Sequence, residues 1–288
     1  MSAKFGPAGN SDAFSAVHKS SLAAPQWIAE QGLDCYEYQC GKGVHVGEDT
    51  ARRVGENARK HGISLSLHAP YFINLANPDP DSLQKTIGYI TSACLVASQM
   101  GASRVVIHSG ALMKRTRREA LDTALRSLRE VIRTCDGQGF GHIALCPETM
   151  GKINHLGDLE EVLELCTLDE RLIPCIDFGH LYARSLGADD GAEAFGRMLD
   201  RVESVLGQSR ASVFHSHFSH IQFTPGGGEK CHRTFDDDDG YGPDWAPLAR
   251  AIARRGWSPT FICESAGTQA KDALTMKRIY QEVLTAQG

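Results

Sequence analysis

Residues 81–110 read DSLQKTIGYITSACLVASQMGASRVVIHSG, and this stretch contains the unit that decides the fold. Residues 81–100 form an amphipathic pattern that predicts a helix. Residues 104–108 form a short β-branched run that predicts a strand ending at His108. A helix followed by such a strand is typical of a parallel sheet that is covered by helices.

The same alternation predicts eight strand–helix pairs along the chain. The strands are expected near residues 4–6, 33–38, 63–68, 104–108, 142–148, 172–177, 212–217 and 259–264. The helices are expected near residues 15–31, 48–61, 81–100, 115–135, 157–167, 190–206, 244–255 and 271–285. Eight pairs predict an α/β fold, a single (β/α)8 TIM barrel that occupies residues 1–288 as one domain. A doubly wound sheet is the alternative, but FGPAGNS at 5–11 does not spell the glycine-rich loop that normally follows its first strand.

The composition is near that of an average soluble globular protein, with 42% hydrophobic and 23% charged residues. No apolar run approaches the roughly 20 residues that span a bilayer, and MSAKFGPAGNSDAF at the start lacks a secretory signal. Nine cysteines occur without a CxxC pair, which favours reduced thiols in the core. We therefore expect a cytoplasmic protein with no membrane partner. The net charge of −5 limits any nucleic-acid contact to a local basic patch.

Metal-ligand residue types stand at the ends of six consecutive predicted strands, the third to the eighth. They are His68 in LSLHAPY, His108 in VVIHSG, Glu148 in ALCPETMG, Asp177 in CIDFGH, His217 in HSHFS and Glu264 in ICESAG. The C-terminal ends of barrel strands converge on one mouth, so residues about 40 positions apart can point at a common centre. A metal site at this mouth is therefore predicted.

The chemistry of this set favours a transition metal. Three carboxylates massed at one mouth repel one another unless cations neutralise them. Imidazoles together with carboxylates favour Zn²⁺, with Mn²⁺ as the second choice. His180, three residues after Asp177, extends the cluster. After the glycine run at 226–228, Glu229 and His232 can close a further site with His180.

Four histidines in HSHFSHIQFTPGGGEKCH, residues 215–232, are predicted to differ in role. His215 and His217 have the same parity on a strand, so they face the same side. Only His217, which is nearer the strand end, is expected to reach the metal, and His215 is expected one layer deeper. His220 lies past the strand and has no obvious partner.

These residues resemble endonuclease IV, the zinc-dependent apurinic/apyrimidinic endonuclease family of the xylose-isomerase-like TIM barrels. The resemblance runs over most of the chain, through LHAPYFINLANPD, VVIHSG, PETMG, CIDFGHLYA, HFSHI, GGEKCH and CES. The combination of HxxYxINL with CIDxxHxxA is more similar to this family than to sugar isomerases, whose ligand sets are mainly carboxylates.

The resemblance implies a cluster of three Zn²⁺ ions, and we expect the protein to carry two to three of them. The first would be held by His68, His108 and Glu148, the second by Glu148, Asp177, His217 and Glu264, and the third by His180 and His232. Glu148 would bridge the first two ions. Tyr71 would take the place of an aromatic residue that family members use against the duplex at an abasic nucleotide.

Two segments differ from the family pattern. An Asp-x-His pattern for the third metal would place an aspartate at position 230, where this chain has Lys230. Either the neighbouring Glu229 substitutes through a shifted loop, or the third site is weakened or empty. The segment YEYQCGKGVHVGED at 36–49 also lacks the longer, arginine-bearing loop that family members push into DNA.

The resemblance implies a hydrolase that cleaves the backbone of damaged double-stranded DNA 5′ to abasic sites. Glu148, Asp177 and Glu264 are the expected catalytic carboxylates, and we expect a monomer. One alternative is a sugar isomerase or epimerase that uses Glu148, Asp177, His217 and Glu264 around one metal. The other is a metal-bound protein that binds damaged DNA with little activity.

Overall fold

Eight parallel strands form one sheet in the computed structural model, which describes residues 2–287. These strands are β1 (Lys4–Pro7), β2 (Cys35–Gln39), β3 (Ser64–His68), β4 (Arg104–His108), β5 (Ala144–Glu148), β6 (Cys175–Asp177), β7 (His215–Phe218) and β10 (Thr260–Cys263). Each strand from β2 to β7 lies beside the next one along the chain, β10 follows β7, and β1 lies beside β10. Two further strands, β8 (His220–Thr224) and β9 (Gly228–Arg233), form an antiparallel hairpin.

The sheet closes into a barrel where β1 meets β2. Ala8 and Glu37 form a parallel bridge there, and the Gly9 N–H donates to the Glu37 carbonyl oxygen at 2.9 Å. Gly6 allows this approach, because a Cβ at Gly6 would stand 1.8 Å from the Cys35 carbonyl oxygen. The prediction of a TIM barrel is confirmed.

Eleven helices connect the strands within the described residues. They are α1 (Asp12–Val17), α2 (Ala24–Glu30), α3 (Glu48–His61), α4 (Pro80–Met100), α5 (Arg117–Gly137), α6 (Leu159–Cys166), α7 (Phe178–Arg184), α8 (Gly191–Leu206), α9 (Gln208–Ala211), α10 (Trp245–Arg255) and α11 (Gln269–Gln287). Among residues 2–287, no helix combines the length and the apolar character needed to cross a membrane.

The first predicted helix, residues 15–31, is wrong as a single element. The chain forms α1, then a 3₁₀ turn at Ser21–Ala23, and then α2. Ser20 accepts the Leu22 N–H and so begins the turn. Pro25 lies in the first turn of α2, where its missing N–H has no intrahelical partner to lose.

Side chains on the barrel strands alternate between the helices and the barrel interior. Val105 and Ile107 belong to the large core between the strands and the helices. Val106 faces the opposite way and packs with Cys146 and Cys175 in a small separate cluster. A residue two positions after one of these interior side chains therefore also faces inward, nearer the barrel mouth.

The seam between β1 and β2 predicts that Gly6→Ala is destabilising. The added methyl group would overlap the Cys35 carbonyl, and we expect a loss of about 1–3 kcal/mol or more in the free energy of unfolding. Gly88→Ala is the matched control, because Gly88 lies within α4 with open space around its Cβ position. Urea denaturation of both variants measures the effect. A Gly6→Ala midpoint equal to that of the parent protein would contradict the close contact at the seam.

Candidate metal centre

The six residues predicted at the strand ends lie together at one mouth of the barrel. His68, His108, Glu148 and Asp177 are the last residues of β3, β4, β5 and β6. His217 is the next-to-last residue of β7, and Glu264 directly follows β10. Each lies two positions after an inward-facing residue of its strand, and this parity turns all six toward the barrel axis.

The carboxylate of Glu148 is the centre of the group and is almost completely buried. Its Oε2 lies 3.3 Å from the Nε2 atoms of both His68 and His108. Its Oε1 lies 3.0 Å from His217 Nδ1 and 3.5 Å from His180 Nδ1. The two oxygens therefore face two different pairs of imidazoles.

Three sets of residues at the mouth bring their ligand atoms within 4.8 Å of one another. The sets are His68, Glu148 and His217; Glu148, Asp177, His217 and Glu264; and His180, Glu229 and His232. His108 is outside these sets, although its Nε2 lies 3.3 Å from Glu148 Oε2. The structure thus brings all nine predicted ligands to one mouth, and their binding of metal remains a prediction.

The environment of the Asp177 carboxylate is the feature of the site that best fits a bound cation. Its Oδ1 accepts the His180 N–H at 2.7 Å and caps the start of α7, a helix that sequence analysis did not predict. Its Oδ2 is buried and accepts no hydrogen bond among the described residues; His180 Nδ1, which donates to the Thr149 carbonyl oxygen, lies 3.3 Å from it. Burial raises the pKa of this carboxyl above its usual value. A buried oxygen without a donor is unfavourable, and a divalent cation would satisfy it.

Protein groups orient three of the imidazoles. His68 Nδ1 lies 2.7 Å from the Ala69 carbonyl oxygen, and His180 Nδ1 lies 2.8 Å from the Thr149 carbonyl oxygen. These Nδ1 atoms donate to the carbonyls, which leaves Nε2 of each ring free to bind a metal. Such outer contacts typically fix the tautomer of metal-binding histidines. His232 Nδ1 lies 2.7 Å from the Ser219 hydroxyl, which similarly orients that ring.

Glu37, which sequence analysis did not identify, supports the site from below. It is fully buried on β2, and its Oε1 lies 2.9 Å from His217 Nε2. Its Oε2 lies 2.8 Å from His215 Nε2 and accepts a hydrogen bond from the Ser66 hydroxyl. His215 is thus placed one layer deeper than His217, as expected. The glutamate within the strand CYEYQ could have indicated this role. A carboxylate is rarely buried without a partner, so a glutamate inside a barrel strand predicts buried groups that pair with it.

Neighbouring charged groups shift the pKa values of the residues in the cluster. Burial opposes the ionisation of Glu148, but His217 and the neighbouring imidazoles hold its pKa well below the usual range. Burial also opposes the protonation of His180, but Asp177 and Glu229 raise its pKa to about 9. Cations that bind these nitrogens would displace protons, so metal binding should release protons.

A β-bulge in the hairpin brings Glu229 and His232 together. Ile221 pairs with His232 and Phe223 pairs with Glu229, so Lys230 is the extra residue without a partner. Ile221 and Phe223 lie on one face of β8, and their partners therefore share a face of β9. Glu229 Oε2 reaches within 3.5 Å of His180 Nε2. The bulge thus places Glu229 beside His180 and His232, and its substitution for the missing aspartate stays a prediction.

Tyr71 and His220 occupy very different positions. The Tyr71 side chain is 56% exposed at the mouth, and its ring stacks on His108 with centroids 5.6 Å apart. The His220 ring instead stacks on Phe235 at 4.7 Å. His220 belongs to none of the three ligand sets formed by the described residues, and its small effect on metal binding stays a prediction.

The cluster opens into a cavity of about 440 Å³. It is lined by His68, Tyr71, His108, Glu148, Met150, Lys152, His155, His180, Glu229, His232 and Glu264. Met150, Lys152 and His155 are not among the residues that the sequence patterns predicted as metal ligands. All three lie on the loop that follows β5.

Comparisons with known proteins agree with this architecture. A family model described as a xylose isomerase-like TIM barrel matches residues 25–282. An uncharacterized protein of Methanocaldococcus jannaschii is 29% identical over 256 residues, which cover 89% of this chain and 90% of that protein. A probable endonuclease 4 of Acholeplasma laidlawii is 27% identical over 165 residues, which cover 54% of each chain. This chain therefore spans about half the length of that second relative.

Two solved structures share the fold across nearly the whole chain. A D-tagatose 3-epimerase-like protein has a TM-score of 0.72 and 19% identity, and the match covers 99% of both chains. Endonuclease IV from Thermus thermophilus has a TM-score of 0.64 and 18% identity, and the match covers 98% of this chain and 99% of that one. At these identities the likeness shows the fold alone.

The positions of three histidines predict an order of effects on metal content. His217→Ala should remove the most zinc, because His217 belongs to two of the ligand sets. His232→Ala should remove at most one ion, and His220→Ala should leave the content near the two to three ions expected for the parent. Elemental analysis of the three zinc-loaded variants measures this order. Any other order would mean that the roles assigned to these three histidines are incorrect.

Glu37→Gln is predicted to weaken zinc binding without removing a ligand. An amide cannot accept N–H groups from both His215 and His217 as the carboxylate does, so His217 should lose its preferred orientation. We expect a loss of roughly 10- to 100-fold in zinc affinity, which is typical for such supporting groups. Competition with a chromophoric chelator measures the affinity, and circular dichroism checks the fold.

Ser66→Ala is the control for this substitution. It removes one hydrogen bond to Glu37 and leaves both imidazole contacts. The affinity of Ser66→Ala should therefore stay within a few-fold of the parent. Equal affinities of the parent and the folded Glu37→Gln variant would exclude a supporting role for Glu37.

Proposed function

The chain belongs to the xylose isomerase-like TIM barrel family, and we propose that it is a zinc-dependent phosphodiesterase that cleaves damaged double-stranded DNA 5′ to abasic sites. The observation that carries this proposal is the third ligand set, His180, Glu229 and His232, beside the sets around Glu148. Sugar isomerisation around one ion has no use for such a set. Mn²⁺ is the alternative ion.

The donor groups would serve three ions, with His108 assigned to the first through its 3.3 Å contact with Glu148 Oε2 and His217 assigned to the second. The first would be held by His68, His108 and Glu148, the second by Glu148, Asp177, His217 and Glu264, and the third by His180, Glu229 and His232. When bound, such ions supply a polarised water and positive charge against a phosphodiester. No serine or cysteine nucleophile is required.

The residues of the chain would organise the reaction through three carboxylates. Glu148 presents its two oxygens to two different groups of imidazoles, which suits a bridging ligand. Asp177 offers an unpartnered buried oxygen, and Glu264 lies 3.4 Å from His217 at the edge of the cavity. Tyr71, exposed beside His108, would contact the sugar or the neighbouring base of the damaged strand.

A sugar isomerase or epimerase is the second candidate function. Glu148, Asp177, His217 and Glu264 form one complete four-residue ligand set, which is sufficient for a single ion. In that case His68, His108 and the hairpin residues would have no direct role. A protein that binds damaged DNA without cleaving it is the remaining alternative.

We propose that residues 1–288 act as a single domain and as a monomer in the cytoplasm. All nine cysteines are free thiols and eight of them are buried, which supports a reducing compartment. Light scattering of the zinc-loaded protein tests the oligomeric state. A mass of twice the chain mass or more would overturn the monomer.

The proposed activity predicts that zinc-loaded protein cuts a duplex containing an abasic-site analogue. Glu148→Gln should lower the rate by roughly two orders of magnitude or more, because an amide cannot offer two anionic oxygens to two cations. Glu170→Gln is the control, since Glu170 is exposed on the protein surface. Cleavage is measured by gel assay on labelled duplexes, and a panel of ketoses is tested with the same samples.

The outcomes separate the three candidate functions. Cleavage of the duplex that is lost in Glu148→Gln supports the phosphodiesterase. Conversion of a ketose without DNA cleavage supports the epimerase. Tight binding of the damaged duplex without either reaction supports a binding protein.

A further inference from the structure

The loop after β5 contributes two polar groups to the cavity that are outside all the ligand sets. Lys152 and His155 line the same 440 Å³ space as the candidate ligands. Neither belongs to any ligand set at the mouth. Their side chains are therefore available to a substrate.

Lys152 brings a positive charge to a cavity lined by three carboxylates and by candidate ligand histidines, of which His180 has a pKa of about 9. Glu148, Glu229 and Glu264 also line the space, yet Lys152 forms no salt bridge with any residue between 2 and 287. Its backbone is nevertheless fixed, because it forms a bridge with Gly228 and its carbonyl accepts from Arg184 at 2.9 Å. The Lys152 ammonium therefore extends from a fixed backbone and has no carboxylate partner among the described residues.

His155 is the neutral partner of this lysine. Its imidazole is half-buried and makes no hydrogen bond within the described part of the chain. Burial lowers the pKa of His155 below its usual value, and Lys152 and His108 lower it further. Glu229 acts in the opposite direction but does not reverse the shift. A neutral ring carries one N–H donor and one acceptor nitrogen.

Two arginines fix the loop that carries both residues. Arg184 donates to the carbonyl oxygens of Met150 at 3.1 Å and His155 at 3.3 Å. Arg117 donates to the His155 carbonyl oxygen at 3.2 Å and pairs with the buried Glu161. A loop held in this way loses little conformational freedom when a ligand binds.

We propose that Lys152 and His155 form a phosphate subsite, in which the ammonium pairs with one non-bridging oxygen and the imidazole N–H donates to another. The inference rests on the proposed phosphodiesterase function and extends it to the residues that recognise the scissile group. A lysine is suited to this role as a compact point charge for phosphate. A neutral ketose could accept a hydrogen bond from the ammonium but would lack the charge pairing that a phosphate offers.

The first experiment measures the binding of inorganic phosphate to zinc-loaded protein by calorimetry. Lys152→Gln should weaken phosphate binding roughly tenfold or more, because a hydrogen bond to a charged group is lost. Lys152→Arg should retain most of the affinity. Lys114→Gln is the matched control, because it removes the same charge from an exposed loop residue that does not line the cavity.

His155 is tested in the same assay. His155→Ala should weaken phosphate binding several-fold, and His155→Gln, which keeps an N–H donor, should recover most of it. Zinc content must be equal in all variants, since the ions themselves attract phosphate. Equal phosphate affinity of the parent, Lys152→Gln and His155→Ala would overturn the subsite.

A second measurement uses the abasic duplex. The logarithm of its affinity should fall less steeply with the logarithm of salt concentration in Lys152→Gln, by about one unit of slope. If no duplex is cleaved but Lys152→Gln still loses phosphate, the subsite stands and the proposed reaction fails. If the duplex is cleaved and Lys152→Gln retains both phosphate affinity and salt slope, the subsite alone fails.

Discussion

The contact between the buried Glu148 carboxylate and the imidazoles around it is the interaction on which the mouth of the barrel depends. An isolated carboxylate at this depth would lose its hydration without compensation. Just below, Val106 and Cys146 give Glu148 no hydrogen-bond donor, and the polar groups at that depth, Glu37 and His215, pair with each other. Charge therefore has to be balanced at the mouth itself, and His68, His108 and His217 do so from three different strands. The convergence of the strands makes this balance possible, since no single strand could supply more than one or two of these groups.

Support for the ligands comes from two directions. Below the mouth, Glu37 joins His215 and His217 in a buried column that fixes the lower ring nitrogen of each histidine. At the rim, the β8–β9 hairpin packs against the loop after β5, and the Glu229 N–H donates to the Gly151 carbonyl oxygen at 3.1 Å. The barrel core thus fixes the positions of the ligands on the strands, whereas contacts between loops fix the position of Glu229.

The fold and the strand-end residues were predictable because they follow from local rules. Alternating strand and helix patterns specify the barrel, and the last inward position of a strand can be read from parity. Glu37 was not predictable in the same way, because its role depends on His215 and His217, which are distant in sequence and meet it only across the barrel. The hairpin was missed because its strands are short and belong to no strand–helix unit, although HIQFT alternates and PGGG signals a turn.

Because of the bulge at Lys230, the number of residues between Glu229 and His232 does not determine whether their side chains lie on the same face of β9. In a regular strand, one inserted residue turns every later side chain to the opposite face. Here the insertion is absorbed at a single pair, and Glu229 and His232 remain on one face. Without Lys230, Glu229 and His232 would lie two positions apart in a regular strand and would still share a face. A sequence motif that fixes the number of residues between the carboxylate and the histidine would therefore miss a hairpin that presents both on one face with a different spacing.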